Sequence, residues 1–167
     1  MMRLIGILCL VTACAGIGCC RSAKLHEDVL SLERLCAMLD DAAACIRHQR
    51  LELWELLSFL AAHPNNRRFR FLHKVAEQLS PLTVPAELWK QAVMSDRAVP
   101  DAAKPILSAL GAGLGTTDCE GQLAALSLYR GQLQRAAADA REIFRTKGKL
   151  CRTLGLLGGA MAAVVLA

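Results

Sequence analysis

Two apolar runs bracket a middle in which apolar residues recur at three- and four-residue intervals. The first run extends from Leu4 to Cys20, 17 residues without a charge. The last, residues 153–167, has no charge either. Of the 35 Lys, Arg, Asp and Glu residues, 34 lie between Arg21 and Arg152, and Arg3 is the exception. Such a chain reads as a water-facing unit held to a bilayer at both ends.

In the middle, Leu25, Val29, Leu32, Leu35, Cys36, Leu39 and Ala43 keep helical spacing, and the pattern resumes at Ile46, Leu53, Leu56, Leu57 and Leu60. One long helix fits residues 25–60, or two with a break at the polar stretch 47–50. Turn residues at His63, Pro64, Asn65 and Asn66 close it. A second helix is predicted over 69–79. Pro85, tolerated in a first helical turn, opens a third over 86–94. Residues 96–105, with two prolines, read as a linker. Residues 106–110 start a further segment that stops in a helix-ending turn at Gly111, Gly113 and Gly115. Thr117 and Glu120 have the spacing of a capping box, Thr at the N-cap. The helix it opens extends over 118–147, burying Leu123, Leu126, Leu133, Ala137, Ala140 and Phe144. Gly148 either kinks it or lets it continue into the tail. The expected fold is all-α: a helical bundle domain (residues 21–149) between N- and C-terminal transmembrane helices (1–20 and 150–167).

As a helix the first run is roughly 26 Å long, short but sufficient for a hydrocarbon core of about 30 Å. Three readings fit it: a retained span, a cleaved signal peptide, or a lipoprotein signal in which Val11, Thr12, Ala13 and Cys14 form a lipobox. In the tail, Gly155 and Gly159 form a GxxxG pair and Ala163 continues the small face, on which another helix can pack closely. Gly6, Ala13 and Gly16 make the first run its candidate partner. Arg21 and Lys24 follow the first run; Lys147, Lys149 and Arg152 precede the second. Both sets flank the middle, which the positive-inside rule places in the cytoplasm.

Composition narrows the chemistry. Aromatics are 4% of the chain and the net charge is +5. A nucleic-acid surface needs a broader basic patch with reachable aromatics than residues 67–70 supply, so no nucleic-acid partner is expected. The eight cysteines show no paired short spacing and read as free thiols in a reducing compartment. The glycines at 111, 113 and 115 do not make GxGxxG, and no Gly-Lys-Ser/Thr follows. No HExxH, CxxC or GxSxG occurs; Cys36 and Cys45 with a histidine are the only set offered to a metal. No catalytic residue, cofactor or metal site is therefore assigned, and an enzyme acting on lipid or nucleotide ranks last.

The final third carries a more specific pattern. Leu107, Leu110, Gly111, Leu114, Gly115, Asp118 and Gln122, followed by Lys147, Gly148, Lys149, Leu150, Cys151, Arg152, Thr153, Leu154 and Gly155, resemble the stage III sporulation protein AB family of endospore-forming bacteria. Arg3 to Gly6 opens the first run in the family's manner, and Glu87, Leu88, Trp89 and Ala92 resemble its short Trp-bearing helix. The chain departs from the pattern at Ala44 and Cys45, where an acidic residue usually precedes the isoleucine. The resemblance implies a membrane platform in a secretion-like complex between mother cell and forespore, similar to the F-type platforms of type II secretion and type IV pilus machines. It implies other stage III sporulation proteins as partners, notably the secretion-type ATPase stage III sporulation protein AA, together with membrane lipid. The helices of residues 25–60 and the 67–70 loop are the expected contacts. The rival reading is a lipoprotein processed before Cys14 whose helical domain binds an extracytoplasmic partner.

Overall fold

A computed structural model of the protein describes residues 2–49, 53–78, 85–114 and 117–148. Among them are six α-helices and no strand: α1 (Met2–Gln49), α2 (Leu53–Ala62), α3 (Arg70–Gln78), α4 (Pro85–Ser95), α5 (Lys104–Gly113) and α6 (Cys119–Ile143). The expected all-α class is what the backbone shows. The chain divides into two compact units, one of residues 1–29 and 138–167, the other of residues 30–137.

In the larger unit, the end of α1 runs alongside α6. Asp40 pairs with Arg130, and the Cys119 thiol reaches the Ile46 carbonyl at 3.9 Å. Leu32, Leu35, Met38, Leu39, Ala42, Cys45 and Ile46 are buried on α1, and Leu126, Leu133 and Ala137 on α6. These are the three- and four-residue steps of one helical stripe. The long helix ends at Gln49, with Arg47 and His48 in its last turn beside the negative end of the helix dipole. The break therefore falls in the polar stretch where hydrophobic spacing placed it.

The helices α2 to α5 pack in succession, each on the next. Pro64 stops α2, because the residue before a proline is driven to extended backbone; His63 has φ −66° and ψ 130°. A 3-10 turn follows over Pro64–Asn66. Asn66 is 1% exposed and donates its Nδ2 hydrogen to the Leu60 carbonyl at 2.9 Å, so one orphaned carbonyl at the end of α2 is satisfied. Pro85 sits at the first position of α4, as the sequence implies.

Two expectations are corrected here. Residues 96–105 are not a plain linker. Only 97–103 form turns, and α5 already begins at Lys104 with Pro105 in its first turn. Proline has no amide to contribute, so it costs least where helical amides have no partner. Nor does the helix stop at Gly111. It continues to Gly113, and Leu114 is its extended C-cap residue, φ −68° and ψ 126°.

In the smaller unit, the His26 and Phe144 rings approach to 5.2 Å between centroids. After Ile143 the backbone stays helical as a π turn over Phe144–Gly148, so Gly148 neither ends nor sharply breaks the path. Among the described residues no helix is long and apolar enough to cross a membrane. Residues 2–19 are described as helical backbone only, and residues 149–167 lie outside the described residues.

Candidate functional site

The motif residues assemble around one side chain, Trp89. Its indole is 3% exposed, and Nε1 donates to the Leu107 carbonyl at 2.6 Å. Its ring meets Phe71 edge-on, with centroids 5.3 Å apart and planes at 79°. The edge-to-face arrangement sets the positive rim of one ring on the negative face of the other. Gly111 lies directly against that indole, where a Cβ would overlap the ring. This glycine is therefore not a turn residue. It is a buried position inside α5 that lets the backbone touch Trp89. Ala103, Leu107, Leu110 and Gly111 share the buried stripe of α5 or its entrance. Leu114 is half-buried at the helix end, and Gly115 lies outside the described residues.

The start of α6 is capped one residue later than the spacing suggested. Asp118 is the N-cap: its Oδ1 accepts the Gly121 amide at 3.0 Å. Gln122 donates its side-chain amide to the Thr117 carbonyl at 3.0 Å. Thr117 and Glu120 do not form the expected box. With two cap-competent residues adjacent, the carboxylate, the better partner for the positive end of the helix dipole, takes the position. Lys147 and Gly148 lie in the π turn, while Arg152, Leu154, Gly155, Gly159 and Ala163 lie outside the described residues. The motif thus builds a joint, α4 to α5 to α6, rather than a reactive centre.

One buried carboxylate was not legible from the sequence. Asp96 accepts the Phe71 amide on Oδ2 and the Ala98 amide on Oδ1, both at 2.9 Å. The first bond caps α3 from 25 residues downstream, where the preceding Phe69 has no side-chain acceptor.

Cys20, Cys36, Cys45 and Cys119 are free thiols. No group of three His, Cys, Asp or Glu among the described residues is placed to hold a metal ion, and Cys36, Cys45 and a histidine do not come together as one. Burial pushes the Cys45 thiol above its ordinary pKa, and the Asp41 carboxylate adds to the rise. The protonated thiol is a poor nucleophile. Iodoacetamide at pH 8 should therefore alkylate Cys45 about tenfold or more slowly than exposed Cys119, read by peptide mass spectrometry. The raised value also means that the folded state holds its proton longer than the unfolded chain. The stability this contributes is complete below the unfolded thiol's pKa and is lost as pH rises through the folded one. Equal alkylation rates would show that this part of α1 opens readily.

The geometry defines a class first: an all-α protein whose distinctive residues serve helix-to-helix packing. A family model described as stage III sporulation protein AB matches residues 3–167, and the chain belongs to that family. It is accordingly a sporulation protein. No curated protein and no solved structure gave a match.

Proposed function

We propose that the protein is a non-enzymatic membrane platform of the mother cell-to-forespore secretion-like complex. In this reading it is held in the mother-cell membrane around the forespore by residues 1–20 and 150–167, with residues 21–149 in the cytoplasm. The observation that carries the reading is the His26–Phe144 ring contact. His26 lies six residues after Cys20 (26 − 20) and Phe144 six before Leu150 (150 − 144). The contact sets the two chain directions side by side at matched distances from the two apolar runs. Both runs then leave the water-facing part together and reach one bilayer face, the geometry of a two-helix anchor. Their flanking cations agree on the side. Gly155, Gly159 and Ala163 are the tail's face for close packing on the first run.

A platform transmits force or holds partners in place, and it requires stiff helices and tight joints rather than a reactive group. Helix α1, continuous over 48 residues, and the Trp89–Gly111 joint are of that kind. The partners proposed are other stage III sporulation proteins, above all the secretion-type ATPase stage III sporulation protein AA. Tagged full-length protein, purified from sporulating cells in mild detergent, should bring down that ATPase with the intact N-terminus retained. Absence of the ATPase, with a mature chain starting at a diacylated Cys14, would overturn the reading in favour of a lipoprotein.

A further inference from the structure

A cleft of about 640 Å³ opens where the start of α3 faces the end of α4. Its walls carry Arg68, Arg70 and Lys74 on one side and Arg97 on the other, with Asp96 between them. Counting these side chains, four cations and one carboxylate leave +3 (4 − 1) in one cleft, against +5 for the entire chain.

The single acid is occupied. Both of its oxygens accept backbone amides, as described above, so it is anchored in the wall rather than extended toward a cation. Among the described residues no carboxylate forms an ion pair with Arg70, Lys74 or Arg97. All three are exposed and retain their donors. Like charges gathered in a concave surface repel one another, and the low-dielectric walls concentrate their field. Nothing else in the cleft offsets that repulsion, so a ligand of opposite charge gains there what the free protein loses.

The form of the cleft selects among anions. Arg70 and Lys74 are one helical turn apart on α3, while Arg97 stands on the facing loop, so the cations line two walls rather than converging on a point. An extended ligand with several anionic groups matches this better than a lone phosphate. The floor includes Phe71 and Ala92, which are apolar. Phe71 is 1% exposed and its ring is engaged with Trp89, so it offers no platform on which a nucleobase could stack. Guanidinium groups bind carboxylates through paired parallel hydrogen bonds.

We propose that this cleft is a docking site for an acidic segment of a partner protein, with Asp or Glu side chains reaching Arg70, Lys74 and Arg97 and an apolar side chain on the Phe71 floor. The proposal rests on the platform reading for the existence of a cytoplasmic partner, and adds the chemistry by which that partner is recognised.

The test uses full-length protein in neutral-detergent micelles and a fluorescein-labelled peptide of alternating Glu and Leu. Saturable binding is expected, weakened about tenfold or more by the double change Arg70→Glu and Arg97→Glu, and weakened again when NaCl rises from about 50 to about 500 mM. Lys90→Glu, an exposed charge change on α4 outside the cleft lining, should leave the affinity within about twofold. Circular dichroism checks that the variants keep their helices. Absence of peptide binding, or binding indifferent to the double change, would sink the proposal. So would tighter binding of a single-stranded oligonucleotide or of phosphatidylglycerol vesicles under the same conditions.

In sporulating cells, a photo-crosslinker in place of Ser95 should trap a peptide rich in Asp and Glu, and the double change should abolish the adduct. Recovery of the ATPase by the wild-type chain together with a neutral or basic adduct would defeat the cleft and leave the platform standing. Failure of the wild-type chain to recover any ATPase would defeat the platform reading, and the peptide titration still decides the cleft.

Discussion

Gly111→Ala should destabilise the protein by roughly 3 kcal/mol, and Gly111→Val by more. The sign is informative because helix propensity alone predicts the opposite. In the interior of an exposed helix, Gly to Ala gains about 1 kcal/mol. Gly111 lies inside α5, so a reading limited to secondary structure would recommend the change. The indole decides otherwise: a Cβ on residue 111 would overlap the Trp89 ring. That ring is not free to swing aside, since its nitrogen is bonded to the Leu107 carbonyl and its face and edge are packed on Phe71. Relief requires separating α4 from α5 or breaking a buried hydrogen bond. Urea unfolding of the full chain in micelles, followed by circular dichroism, measures the loss. In a Trp89→Leu background the same Gly111→Ala step should cost less than about 1 kcal/mol, because the clashing ring is gone. Unchanged or raised stability for Gly111→Ala alone would show that α4 and α5 do not meet this closely.

Asp96→Ala should cost about 3 kcal/mol, and Asp96→Asn roughly half of that. The alanine removes acceptors from two backbone amides, Phe71 and Ala98, at a residue only 7% exposed. A hydrogen bond to a charged acceptor contributes more than a neutral one, and a buried amide left unsatisfied carries its own desolvation penalty. The carboxylate also sits at the positive end of the α3 dipole and is the only acid among four cations in its cleft. Its loss therefore removes a cap and increases local repulsion together. Asparagine keeps one oxygen and so one amide, without the charge. Besides the equilibrium measurement, hydrogen exchange should accelerate at the Phe71 and Ala98 amides in Asp96→Ala, while amides in the middle of α6 hold their rates. Acceleration spread evenly over the chain, or none at all, would contradict the role given to this side chain.

How far the fold can be read ahead of the structure depends on the range of the interaction. The stripe on α1, the stop at Pro64, the start at Pro85 and the break near residues 47–50 are local matters of spacing, backbone restriction and polarity. The structure has them where these rules put them. The errors are equally regular. Gly111 looks like a terminator because three glycines stand within five residues, yet its reason lies on another helix, 22 positions earlier at Trp89. Asp96 looks like a linker residue because its amide partner on α3 is 25 positions away. Thr117 and Asp118 are both competent caps, and only the geometry of the first turn of α6 decides between them. Arg70, Lys74 and Arg97 belong to two separate polar stretches in the chain, and no local pattern announces that they share a cleft.

The sequence by itself determined the helical class, the family, the apolar character of both ends and the absence of any recognisable catalytic motif, because each is a property of composition, period or short spacing. Tertiary structure alone decided that a conserved-looking glycine is a packing surface, that a loop aspartate is a structural cap, and that scattered cations line one cleft. Each of those depends on distance between residues far apart in the chain, which folding sets and periodicity does not encode.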